Sequence, residues 1–186
     1  AIDVGFIVDG SGSMTDEHQA LSKHLSAFTK DLADRGFDVA FGLNVGGLDA
    51  ADGVAQKADI GDPRFQSEID NLDHNAHEGI ENYSAIIESS VNDRPGNVDP
   101  DIFNWRDGAS RYAILVTDQT GTSGNNSFGD NEASTATALQ NGDVTFHGVL
   151  NSPTDFNEIA FQTDGTLQSL SAGGNADTAI KNAMDA

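Results

Sequence analysis

The chain has 186 residues, with 9 Lys and Arg against 30 Asp and Glu, and a formal charge of −21 at pH 7. That length suits one domain able to bury roughly 70% of its unfolded surface. So few basic residues cannot neutralise a nucleic-acid backbone, and the same sign disfavours anionic membrane surfaces. The absence of Cys excludes disulfides and thiolate metal sites, and no apolar run reaches the length of a transmembrane helix. The acidity is mostly Asp, 23 against 7 Glu; this composition suits high-salt solubility or a calcium- and magnesium-rich exterior. The chain opens directly on an apolar strand with no secretory leader pattern. The expectation is a single domain, 1–186, excised from a larger protein.

Residues 2–8, IDVGFIV, form a nearly continuous apolar run, the pattern of a strand buried on both faces of a parallel sheet. A polar, Gly-rich loop follows at 9–15. Leu21, Leu25, Phe28 and Leu32 then recur at helical spacing, with Thr15 as N-cap, Asp16 and Glu17 in the first turn and Gly36 as the stop. Phe37, Val39, Phe41, Leu43 and Val45 alternate with smaller or polar residues, predicting a strand of period two. Residues 46–62 are rich in Gly and Asp and are expected to hold a weak edge strand near 53–58. Short helices are predicted over 65–72 and 80–91, an irregular stretch over 92–110, and a second buried strand over 112–117, YAILVT. A Gly, Ser and Asn loop covers 119–131. Beyond it come a helix at 132–141, a strand at 144–150, a helix near 154–162, a strand near 165–170 and a terminal helix from about 175. Alternating strands and helices argue for a doubly wound α/β sheet with helices on both faces.

Ligands of such sheets bind beyond the carboxyl ends of the strands. The first strand runs into Asp9-Gly10-Ser11-Gly12-Ser13-Met14, and the strand at 112–117 runs into Asp118. If the two strands are neighbours, Asp9, Ser11, Ser13 and Asp118 share one rim. All four offer hard oxygen, which suits Mg²⁺ with its six ligands and retained waters.

These residues resemble the metal ion-dependent adhesion site of von Willebrand factor type A (vWA) domains. Asp9, Ser11 and Ser13 fill that family's Asp-x-Ser-x-Ser motif in order. Asp118 matches the Asp that closes an apolar strand, with Gln119 where the family usually has Gly. Asn104-Trp105-Arg106 is similar to a stretch ahead of that strand in several bacterial and integrin β relatives. The middle motif departs: the family commonly has a Thr, whereas His77-Glu78-Gly79-Ile80-Glu81 contains none. Integrin β domains and some bacterial relatives carry a Glu there, so the resemblance points to Glu81 as ligand, with Glu78 as the alternative. A third carboxylate implies firmer cation retention and lower residual positive charge than a hydroxyl.

The resemblance implies an α/β three-layer sandwich, mainly parallel, with one antiparallel edge strand. It implies one divalent cation, Mg²⁺ first with Ca²⁺ or Mn²⁺ as alternatives, held by Asp9, Ser11, Ser13, Glu81 and Asp118. It further implies binding of a protein or cell-surface ligand whose Asp or Glu completes the coordination. Location is expected at the bacterial cell surface, in a monomeric adhesin module without membrane insertion. The alternative is a cytoplasmic assembly domain docking a partner subunit such as an ATPase. The rim loops 46–62 and 119–131 would set specificity.

Competing chemistries fare worse. Ser11 lacks the Gly-x-Ser-x-Gly context of hydrolases, because Asp9 stands at the first Gly position. There is no phosphate-binding Gly-x-x-x-x-Gly-Lys, and His74 and His77 lack the His-Glu-x-x-His order of metalloproteases. The reading is therefore a binding module and not an enzyme. Thr117 and Gln119 are read as structural. Trp105 and Arg106 are read as anchors of segment 92–110, with a partner-facing surface as the alternative.

Overall fold

A computed structural model describes residues 1–10, 12–45, 57–72, 87, 103–118, 132–152 and 156–170. Its strands are β1 (Ile2–Val8), β2 (Val39–Val45), β3 (Lys57–Ala58), β4 (Ser110–Thr117), β5 (Val144–Leu150) and β6 (Leu167–Ser169). Its helices are α1 (Thr15–Asp34), α2 (Phe65–Asp70), α3 (Glu132–Asn141) and α4 (Asn157–Gln162), with a 3-10 turn at Gly12–Met14. Strand order is β3-β2-β1-β4-β5-β6. All pairings are parallel except that of β3, whose two residues run antiparallel to β2 opposite Leu43 and Asn44.

The apolar strands read as doubly buried because helices cover both faces. Val4, Phe6, Val8, Leu43, Val45, Ile114 and Val116 pack on one side with Leu21 and Leu25 of α1 and Phe65 and Ile69 of α2. Alternate residues Ile7, Ala113, Leu115 and Phe146 pack on the other with Ala136 and Leu139 of α3 and Ile159 of α4. Ile87, the described residue of the predicted helix 80–91, is helical, fully buried and part of this second layer.

Most element boundaries fall within a residue or two of those predicted. Gly36 stops α1 with φ +78°, a conformation open to glycine at little cost. Phe37 lies before β2 and is 51% exposed, although its place in the alternation put it inside the strand. The pairing of β2 with β1 opens at Val39, opposite Ile2, so Phe37 lies outside the paired stretch. The helix near 154–162 and the strand near 165–170 are shorter than expected, covering Asn157–Gln162 and Leu167–Ser169. The terminal helix predicted from 175 lies outside the described residues.

Segment 103–109 is fastened to the amino ends of the strands. The Arg106 backbone N–H donates to Asp3 Oδ2 at 2.7 Å, and Nε donates to Asp3 Oδ1 at 2.6 Å. Nη1 reaches Asp38 Oδ1 at 2.8 Å and Nη2 the Ile2 carbonyl at 2.9 Å. Hydrogen bonds to Asp38 and Asp3 raise the Arg106 pKa above its ordinary value, and Arg106 in turn lowers that of Asp38. Phe103 lies over Gly5 and Gly42, where an added Cβ would come within 2.5 Å and 2.9 Å of its ring. Trp105 meets Phe103 edge-on at 5.1 Å. Trp105 and Arg106 therefore act as anchors, at the end of the sheet opposite the Asp9–Asp118 rim.

Candidate functional site

Asp9 follows β1 and Asp118 follows β4, and these strands pair with Val8 opposite Val116. The Asp9 backbone N–H continues the ladder by donating to the Val116 carbonyl at 2.9 Å. The two acidic residues thus leave adjacent parallel strands one residue apart in height, Asp9 level with Thr117. This is also where the strand order reverses, with β2 on one side of β1 and β4 on the other. Open α/β sheets bind ligands in that crevice.

The Asp9 carboxylate is held in a defined position. It is 3% exposed, and the buried Thr117 hydroxyl donates to its Oδ2 at 2.7 Å. Thr117, read from sequence as structural, thus orients Asp9. From α1, His18 Nε2 meets the Asp9 carbonyl at 2.6 Å; the carbonyl accepts only, so the imidazole proton of that contact sits on Nε2. The Asp118 backbone N–H donates to Met14 Sδ at 3.1 Å, and Met14 is fully buried. Met14 and His18 therefore tie the turn after β1 to both strand ends. Sequence reasoning passed over both as supports. The signal was present, because Met14 and His18 extend the α1 stripe of Leu21, Leu25, Phe28 and Leu32 backwards by steps of three and four.

Asp118 Oδ1 is buried and has no hydrogen-bond partner. A desolvated carboxylate oxygen is costly unless a proton donor or a cation stands against it. Ser13 sits in the 3-10 turn with its side chain exposed at the rim. The set of Asp9, Asp118 and Ser13 is all hard oxygen, which fits Mg²⁺ or Ca²⁺ and not a soft metal. Among the described residues no three His, Cys, Asp or Glu side chains converge on one point, so a cation here would need hydroxyls and water as well. Ser11, Glu81 and its alternative Glu78 lie outside the described residues, as do His74, His77 and the loop 119–131. No described helix is long and apolar enough to cross a membrane.

No known family's sequence pattern matches the chain, and no curated protein matches it. Solved structures do. An aerotolerance-related membrane protein from Bacteroides fragilis superposes with a TM-score of 0.62 at 14% identity, over 100% of this chain and 99% of that one. The pilus adhesin SpaC from Lactobacillus rhamnosus GG gives 0.63 at 15% identity over 99% of this chain, which spans 29% of the adhesin. The VWA domain of SpRpn10 gives 0.61 at 11% identity, over 96% of this chain and 93% of that domain. At these identities the likeness speaks to architecture, and with the strand order above it assigns the chain a Rossmann-like α/β fold of the von Willebrand factor A type.

Proposed function

We propose that the chain is a divalent-cation-dependent binding module acting by recognition and not by catalysis. The observation that carries this reading is the pairing of Asp9 and Asp118 on adjacent strand ends at the switch point, with Asp118 Oδ1 buried and unpartnered. Asp9, Ser13 and Asp118, together with Ser11 and Glu81 from outside the described residues, would hold one Mg²⁺, or Ca²⁺ or Mn²⁺ in its place. The bound cation would supply a positive centre for an Asp or Glu of a protein or cell-surface ligand. Thr117, His18 and Met14 fix the rim, so the site is organised before ligand arrives and less ordering free energy is lost on binding. The likeness to a pilus adhesin supports a place at the bacterial cell surface.

Titration calorimetry of Mg²⁺, Ca²⁺ and Mn²⁺ into the chelator-stripped protein tests this, with Asp118→Ala alongside. The variant is essential because a surface at −21 attracts cations diffusely. Saturable binding of about one ion, lost in the variant, is the expected result. Identical curves for the two proteins would remove the mechanism.

A further inference from the structure

Asn44 is the residue before the last of β2, is 6% exposed, and has an Oδ1 that is buried without a hydrogen-bond partner. The parallel register sets it beside Ile7, as it sets Gly42 beside Gly5. Phe103 covers both of those glycines, so Asn44 belongs to the sheet face that it shares with Ile7. Two residues further along β1 on that face comes Asp9, joined to Thr117. Asn44 therefore sits one step below the acidic rim, on the strand neighbouring Asp9.

Packing does not explain an amide there. Across β1 and β4 the same row is Ile7 and Leu115, 1% and 0% exposed, and a leucine at 44 would continue it. A buried acceptor left unpaired is unfavourable, and such a group in a native fold calls for a partner, an ion or a role. Above Asn44 on this face, among the described residues, comes Asp9, whose Oδ2 already accepts the Thr117 hydroxyl. An amide oxygen left unpaired one row below a carboxylate is reconciled by something that brings positive charge and O–H donors together, which is a hydrated cation.

We propose that Asn44 is a positioning residue of the cation site, its Oδ1 accepting a hydrogen bond from water held on the Asp9 side of the ion. The inference rests on the cation-binding reading above. Outer-shell partners of this kind tune affinity by about 10–100-fold when removed. They need contribute nothing to the stability of the metal-free fold.

The test compares wild type, Asn44→Leu, Asn44→Asp and Asp118→Ala by Mg²⁺ calorimetry and by thermal unfolding in chelator. The expected Asn44→Leu protein binds Mg²⁺ at least about tenfold more weakly, yet unfolds in chelator at the same or a higher temperature. Asn44→Asp keeps an acceptor and restores the affinity. Mg²⁺ binding by Asn44→Leu within twofold of wild type would overturn the proposal. So would a parallel fall in unfolding temperature and affinity that Asn44→Asp does not reverse, which would mark a purely structural residue. If wild type and Asp118→Ala bind Mg²⁺ alike, the cation-binding reading falls and this inference falls with it; the other failures leave that reading standing.

Discussion

Replacing Arg106 by Met removes the guanidinium while keeping most of the aliphatic stem. The lost contacts are Nε to Asp3 Oδ1, Nη1 to Asp38 Oδ1 and Nη2 to the Ile2 carbonyl. Asp38 is exposed, so its loss contributes little. Asp3 is different: it is 0% exposed and retains only the backbone N–H of residue 106 as a partner. Breaking a buried pair by removing one member costs about 3–5 kcal/mol. The surviving N–H bond and the 35% exposure of the Arg106 side chain place this case at the lower end, about 3 kcal/mol. The orphaned Ile2 carbonyl adds about 1 kcal/mol.

Against a total stability of about 5–15 kcal/mol, a loss near 4 is severe. With a urea slope of about 2 kcal/mol/M, the unfolding midpoint falls by about 2 M. Asp3→Asn in the Arg106→Met background removes the buried charge and should recover at least half of the loss. Urea denaturation of the four proteins of this cycle checks it. A single-variant loss under about 1 kcal/mol, or no recovery in the double variant, would refute the view that a buried carboxylate needs Arg106.

Thr117→Val removes a charge-assisted hydrogen bond at nearly constant shape, so about 1.5–3 kcal/mol of stability should be lost. Cation affinity should fall with it; unchanged stability in chelator would mean that the hydroxyl does not hold Asp9. Gly5→Ala sets a Cβ 2.5 Å from the Phe103 ring, an overpacking worth about 1–3 kcal/mol. In a denaturation cycle Phe103→Leu should absorb much of that loss, and strict additivity would count against direct contact. Burial lowers the His147 pKa from 6.5, and its Nδ1 accepts the Thr166 N–H at 3.3 Å. The contribution of His147 to stability is therefore full above pH 6.5. It is lost as pH falls below that value, where the unfolded chain takes up a proton that the folded chain resists. His147→Gln should flatten the stability profile below pH 6.5 by up to about 1.4 kcal/mol per pH unit relative to wild type, and parallel profiles would refute it.

The parts of the fold legible in the sequence are those set by local periodicity. The runs IDVGFIV and VTFHGVL became β1 and β5 over the expected residues, and helix 132–141 became α3. The acidic rim was legible for the same reason, since Asp9 and Asp118 each close an apolar run and a strand-to-loop transition needs no partner to be recognised. What holds the rim was less visible because it depends on strand register. Nothing local says that Thr117 lies beside Asp9, or that Asn44 falls on the Asp9 face of the sheet. The glycines show the same limit. Gly5 and Gly42 inside strands signal close approach by another group, but only the sheet pairing reveals that one ring, Phe103, covers both.

The two ends of β1 sharpen the argument for a cation from outside the chain. Asp3 and Asp9 lie on one face of the same strand, six residues apart, and both are buried. At the amino end the carboxylate is met within the chain by Arg106, which leaves both Asp3 oxygens hydrogen-bonded. At the carboxyl end Thr117 supplies one neutral donor to Asp9, and Asp118 Oδ1 has no donor at all. No Lys or Arg among the described residues pairs with Asp118. A scaffold that neutralises a buried Asp with its own guanidinium at one end, and leaves an Asp118 oxygen without a donor at the other, has the asymmetry of a site whose positive charge is exchangeable. If that is so, Asp118→Asn should raise the unfolding temperature of the metal-free protein by relieving an uncompensated charge. The same change should abolish the stabilisation that Mg²⁺ gives wild type through mass action. A variant that loses stability in chelator and still gains it from Mg²⁺ would mean that the unpartnered oxygen of Asp118 faces no cation.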